Sequence, residues 1–342
     1  MEYTRREFGQ LTFAGVVGAA FTDPKPNSLI DGVQIGTITY SYRSMPDQSA
    51  EATLKYIVDS GISAIELMGG PVESFAGAPS TGRGGGRPGG PPPGGARQGP
   101  PPGGDPGARG GGRGRGRAEV TPEQQAAQRE AAEKIRQWRT SVSMDRFKAL
   151  RKMYNDAGVT IYAWKQLNPN MSDGEMEYVF NVAEALGCTH TTLELTDNVD
   201  QLKRIGDFAE RKKIYAAYHT HVQGSMTAFD KAFAASNGNM ANVDLGHYVA
   251  GGNVGGTTIQ FLEKFHDRIA SFHLKDRTTP EHGAKNLPWG AGDTPIREIL
   301  QTVKKNRWKM PASIELEYEV PEGSDAVREV RKCLQFCRDA LA

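Results

Sequence analysis

From Val33 onward the chain alternates between two patterns of apolar and polar residues. Eight short runs rich in β-branched and aromatic residues predict strands: VQIGTITYSY (33–42), ISAIELMG (62–69), VTIYAWKQL (159–167), CTHTTLEL (188–195), IYAAYHTH (214–221), MANVDLGH (240–247), IASFHLKD (269–276) and ASIELEYE (312–319). Between them, apolar residues fall at three- and four-residue spacing, as in MDRFKALRKMYNDAG, DGEMEYVFNVAEALG, VDQLKRIGDFAERKK and SDAVREVRKCLQFCRDALA, and predict helices. Gly158 and Gly187 stand where two of these helices should stop, because glycine takes the left-handed turn of a helix C-terminus without a Cβ penalty. Strands and helices in regular alternation favour a parallel sheet. Eight strands with helical crossovers is the count of an α/β (β/α)8 TIM barrel, whose chemistry gathers at the C-terminal ends of the strands.

Glu194, Asp244, His273 and Glu315 each fall near the end of such a run. Three carboxylates and an imidazole converging at one end of a barrel make a hard, oxygen-rich site for a divalent metal ion, with Mn²⁺ foremost and Mg²⁺, Co²⁺ or Zn²⁺ as alternatives. Strand parity supports the convergence. Ser271, His273 and Lys275 share one face of their strand, and Glu315 and Glu317 lie opposite Ile314, Leu316 and Tyr318. By the same parity Glu66 and Lys275 face inward, to orient substrate or neutralise a carboxylate. His219 and His221 also point inward, as ligands, substrate contacts or structural groups, and His247 follows Asp244 by one turn. Glu317 stands higher at the mouth, and Trp164 and Trp289 are candidates for the apolar wall of a sugar site, with plain core packing as the alternative.

The alternation breaks once. Residues 71–118 are dominated by Gly and Pro and carry seven Arg, a composition that cannot bury enough apolar surface to offset its ordering entropy. This predicts a disordered insert after strand two. Its GGGRPG stretch matches a dinucleotide fingerprint only formally, with no strand before it and no helix after it. Thr121-Pro122-Glu123-Gln124 marks a helix start. At the other end, Arg5-Arg6 followed by LTFAGVVGAAF resembles a twin-arginine export signal over residues 1–23, so the expected compartment is the periplasm or the cell exterior. The barrel then spans 28–342 around the insert.

A formal charge of +1 supplies no global field for nucleic acid, and none is expected as a partner. No apolar run approaches the roughly 20 residues that span a bilayer, so no membrane anchoring is expected once the leader is cleaved. Three cysteines, Cys188, Cys333 and Cys337, argue against a disulfide framework. The expected partner is a small carbohydrate substrate, with self-association into a homo-oligomer left open.

The ordered set IYAWK, LEL, HTH, DLGH, FHLKD and IELEY resembles the xylose isomerase-like sugar isomerase/epimerase barrel superfamily over most of residues 33–340 outside the insert. In its ketose 3-epimerases the metal is held by a Glu on strand four, an Asp after a later strand, a His on strand seven and a Glu on strand eight. The resemblance implies Glu194, Asp244, His273 and Glu315 in those roles. FHLKDR and the paired glutamates of strand eight look more like inosose dehydratases of the same superfamily. Endonuclease IV shares the barrel but uses a richer histidine set than the seven of this chain. The implied activity is metal-dependent isomerisation or epimerisation of a sugar or keto-sugar through an enediolate, with Glu194 and Glu315 moving the proton. A keto-sugar dehydratase or lyase shares that intermediate, and a non-catalytic sugar-binding barrel shares the fold.

Overall fold

The computed structural model describes residues 25–79 and 121–342. The twin-arginine-type leader and most of the Gly/Pro/Arg-rich insert lie outside the described residues. Eight strands form the frame: β1 Val33–Ile38, β2 Ala64–Met68, β3 Thr160–Lys165, β4 His190–Glu194, β5 Tyr215–His219, β6 Asn239–Asp244, β7 Ile269–Leu274 and β8 Ala312–Ile314. Every neighbouring pair is parallel, and β1 closes the ring by pairing with both β2 (Thr37 opposite Ile65) and β8 (Gly36 opposite Ser313). This is a closed TIM barrel.

Helices cover its outside: α1 Ala50–Asp59, α2 Gly69–Phe75, α3 Pro122–Arg139, α4 Asp145–Asp156, α5 Asp173–Leu186, α6 Val199–Lys212, α7 Asp230–Ala235, α8 Leu245–Ala250, α9 Thr258–Phe265, α10 Ile296–Asn306 and α11 Ala326–Leu341. Local chemistry sets their ends. Thr121 and Gln124 form the capping box that opens α3, as Ser172 and Glu175 do for α5. Gly187 ends α5 at φ 79°, the left-handed value that favours glycine. Among the described residues no helix is long and apolar enough to cross a membrane.

The apolar runs overshoot the ladder at its C-terminal end. Thr39–Tyr42 coils into a 3₁₀ turn and Leu245–Ala250 into α8, because the chain leaves the sheet at the mouth of the barrel. Residues 71–79, grouped by composition with the insert, belong instead to the barrel's outer layer. Val72 is fully buried, and Glu73 pairs with Arg139 at 2.8 Å and accepts the Tyr178 hydroxyl at 3.1 Å.

Inside the barrel the lower floor is small and aromatic. Tyr162 stacks on His190 with ring centroids 5.9 Å apart, and Ala64 and Ala163 pack beside it. A Cβ on Gly36 would come within 2.8 Å of the Tyr162 ring, so glycine there makes the room. Tyr162 is also the extra residue of a β-bulge: Ile65 lies opposite Ile161, but Glu66 lies opposite Ala163. Above this floor the interior turns polar.

Candidate metal centre and barrel mouth

Six neighbouring strands deliver side chains to one rim. Lys165, Glu194, His219 and Asp244 are the last residues of β3, β4, β5 and β6, His273 is the penultimate residue of β7, and Glu315 follows β8. Asp244 also caps α8, accepting the His247 backbone N–H on Oδ1 at 2.6 Å. That bond turns Oδ2 inward, where it is buried and lacks a well-aligned hydrogen bond, although Lys275 Nζ lies 3.0 Å away.

His219, Asp244, His273 and Glu315 are all buried, and each offers a donor atom within 4.8 Å of the others. His273 is gripped from both sides: Nδ1 lies 3.0 Å from Glu315 Oε2 and 3.9 Å from Asp244 Oδ2, and Nε2 lies 2.7 Å from Glu66 Oε2. Lys275 Nζ sits among Asp244, Glu315 and Glu317, at 2.8 Å and 2.6 Å from the two glutamates.

The electrostatics follow from these distances. Burial alone would depress the His273 imidazole, but Glu66 and Glu315 outweigh it and raise its pKa to about 10. Burial likewise opposes ionisation of Glu66, yet His273, with Lys165 and the Thr192 hydroxyl, holds it at about 2. Glu315 is kept well below the usual carboxylate range against burial by Lys275 and His273, whereas burial pushes Asp244 up and Lys275 only partly offsets it. His219 is neutral, lowered by burial and by the cations Lys165 and His273. An ammonium and an imidazolium thus balance carboxylates around a point where hard oxygen donors and two imidazoles meet. The donor set, with Asp244 Oδ2 left without an aligned partner, fits a divalent cation, whose binding would displace the proton on His273. Glu66 on Nε2 would then orient that ring as a ligand through Nδ1.

The structure separates one expected ligand from this group. Glu194 stands at the rim with its side chain 48% exposed, paired with Lys165 at 2.9 Å and 3.8 Å from His221. Its nearest donor group is His219 and His221, so His219 joins the inner and outer clusters. His221 is half-buried at the mouth. His247 accepts on Nδ1 from the Arg277 guanidinium, and its Nε2 lies 3.8 Å from Glu317 Oε2. Trp164 does not line the mouth. It is fully buried in the outer core, edge-on to Tyr178 at 5.9 Å, because the bulge at Tyr162 reverses the parity of the rest of β3. Trp289 packs edge-on to Phe336 on α11.

Four mouth or interior residues were missed from sequence. Lys165, next to Trp164 in IYAWK, is the β3 residue that faces the site. Arg277 directly follows HLKD, and Asn242 lies two residues before Asp244, in parity with it. Tyr40, half-buried in the turn after β1, feels the charges of Glu317, Glu315 and Lys275.

The sequence profile of the xylose isomerase-like TIM barrel family matches residues 131–338, more than half of the chain. The chain belongs to that family. The matched span contains all the candidate residues of the mouth except Glu66 and Tyr40. Among solved structures, the family's fold recurs in an L-ribulose 3-epimerase (11% identity, 90% of this chain and 95% of that one, TM-score 0.52). It recurs in the probable 3-DHS dehydratase AsbF of Bacillus anthracis (12%, 89% and 98%, 0.54) and in the IOLI protein with a bound zinc atom (12%, 90% and 98%, 0.53). At these identities the likeness is one of fold. No curated protein matches the sequence.

Proposed function

We propose that this family member is an exported, divalent-metal-dependent isomerase or epimerase acting on a sugar or keto-sugar. The observation that carries the reading is the buried convergence of His219, Asp244, His273 and Glu315 at the C-terminal ends of β5 to β8, below an open rim. A bound divalent cation supplies Lewis acidity at a substrate carbonyl. Glu194 and Glu315 belong to β4 and β8, four strands apart and so on opposite sides of the mouth. One removes the α-proton and the other returns it. Lys165 pairs with the Glu194 carboxylate at 2.9 Å and fixes its position at the rim, and Lys275 and His273 hold Glu315 ionised against its burial. Return to the opposite face epimerises, and return to the adjacent carbon isomerises. The dehydratase reading is second: the same proton abstraction followed by loss of the β-hydroxyl as water, the protonated glutamate giving its proton to the departing oxygen while the Lys275 ammonium beside Glu317 donates a hydrogen bond to it. The name of the Bacillus anthracis neighbour supports keeping it. Export, Mn²⁺ as the native ion and a neutral rather than phosphorylated sugar are parts of the same proposal.

The test is solvent exchange. Metal-loaded protein in D₂O, given a panel of ketoses and 3-keto-glycosides, should place deuterium beside a carbonyl, read by NMR. Glu194→Gln and Glu315→Gln should each lower turnover and exchange by ~10²–10⁴-fold, the usual contribution of a positioned acid or base. Glu317→Gln should be milder. Undiminished exchange in both of the first two variants removes the assigned bases, and no exchange with any substrate favours a binding barrel.

A further inference from the structure

The hydrogen bonds inside the barrel have forced directions. The Glu66 carboxylate can only accept, so the Asn242 atom 3.3 Å from its Oε2 is the amide nitrogen, Nδ2. The other end of the network orients the same amide independently. The Thr189 hydroxyl donates to the Tyr162 carbonyl at 3.2 Å, so its oxygen accepts from His190 Nδ1 at 2.9 Å. His190 Nε2 then takes the Ser271 hydroxyl hydrogen at 2.9 Å, which leaves the Ser271 oxygen to accept from Asn242 Nδ2 at 2.7 Å. Both ends agree, and Asn242 Oδ1 faces His219 Nδ1 at 3.0 Å. That nitrogen must carry the hydrogen. With Nδ1 committed, the nitrogen of His219 free to ligate is Nε2, on a ring whose donor lies within 4.8 Å of those of Asp244, His273 and Glu315.

We propose that His219 is a ligand, through Nε2, of the cation held by Asp244, His273 and Glu315, and that Asn242 is the positioning residue that presets its tautomer. This rests on reading the cluster as a metal site. Family resemblance assigns the β4 position, Glu194, to the metal. Here His219 lies opposite Glu194 in register, is only 2% exposed, and reaches the inner cluster while Glu194 pairs with Lys165 at the rim. Two imidazoles in place of one shift the preference away from Mg²⁺, toward Mn²⁺, Co²⁺ or Zn²⁺.

The experiment uses the full protein labelled with ¹⁵N-histidine and loaded with Mn²⁺. Pulsed electron–nuclear resonance should resolve two imidazole nitrogens in the wild type and one in His219→Ala. Asn242→Leu, close in shape but with no acceptor for Nδ1–H, should weaken Mn²⁺ binding by roughly 10–100-fold. A single coupling in the wild type, or an Asn242→Leu variant with unaltered affinity, overturns the proposal while leaving the metal site standing. Failure of the wild type to bind one equivalent of metal defeats the metal-site reading and this proposal together. If His219→Ala does not fold, the nitrogen count of the wild type alone decides.

Discussion

His273 concentrates the chemistry of the site in one residue. Its ring is fully buried between Glu66 and Glu315, and the two carboxylates keep it protonated far above its ordinary range. A histidine whose folded pKa is about 10, against 6.5 ordinarily, stabilises the fold fully below pH 6.5 and loses that contribution as pH rises through 10. Metal-stripped protein should therefore melt at progressively lower temperature across that window. Once a cation takes the place of the proton, the imidazole is neutral at every pH in the window, and the decline should shrink. Thermal melts of stripped and Mn²⁺-loaded protein from neutral pH to pH 10 check this. A flat profile for the stripped protein would mean that His273 is not an imidazolium there. Glu66→Gln should lower metal affinity by about 10–100-fold, since it removes the carboxylate that orients the ring.

Single elements show what could be seen from sequence and what could not. Asp244, His273, Glu315, Lys275 and Glu317 were legible because β6, β8 and the part of β7 beyond its own irregularity at Ala270 keep inward parity up to the rim, so alternation in NVD, FHL and IELE places them. β3 was not legible. Its bulge at Tyr162 reverses the alternation, and nothing in IYAWK marks one extra residue. Plain alternation would therefore turn Trp164 toward the mouth and Lys165 away from it, whereas Trp164 takes the core packing that stood as its alternative. Glu194 was placed at the correct strand end, but its depth depends on the reach of Lys165, which no pattern encodes. His219 appeared only as one of several options, because ligand geometry is a property of three neighbouring strands rather than of one. The bulge makes its own prediction. Trp164→Phe should cost about 1–3 kcal/mol of stability, read from denaturant midpoints, as a core change does. KM for any substrate found should not move. Lys165→Met should do the reverse, impairing turnover with a small effect on stability. A KM effect from Trp164→Phe at unchanged stability would put that ring back at the mouth.

For the molecule as a whole, the issue is how a barrel carries 41 undescribed residues between β2 and β3, from 80 to 120, without losing closure. The described flanks answer it. On the near side α2 presents Glu73, and on the far side α3 ends at Arg139, whose Nε and Nη2 meet the two Glu73 oxygens at 2.8 and 3.1 Å. Arg139 Nη1 reaches Glu175 on α5 at 3.4 Å, the Tyr178 hydroxyl bonds Glu73, and Trp138 packs edge-on to Tyr178 at 5.9 Å. This bidentate, mostly buried clamp ties both flanks to α5 through side chains of α2, α3 and α5 themselves. β2 and β3 pair directly, so closure does not run through the insert either. Replacing residues 80–120 with a Gly/Ser linker of about ten residues should leave the melting temperature within about 2 °C and the metal stoichiometry unchanged, because loop-closure entropy varies only slowly with length. In the full-length chain, Glu73→Ala should cost about 1–3 kcal/mol, since it removes both short bonds to Arg139 and the acceptor of the Tyr178 hydroxyl, leaving Arg139 only its 3.4 Å contact with Glu175. Calorimetry and metal analysis on the two variants separate the cases. A deletion that loses folded protein while Glu73→Ala is neutral would show that the insert itself, and not the clamp at its base, holds this side of the barrel.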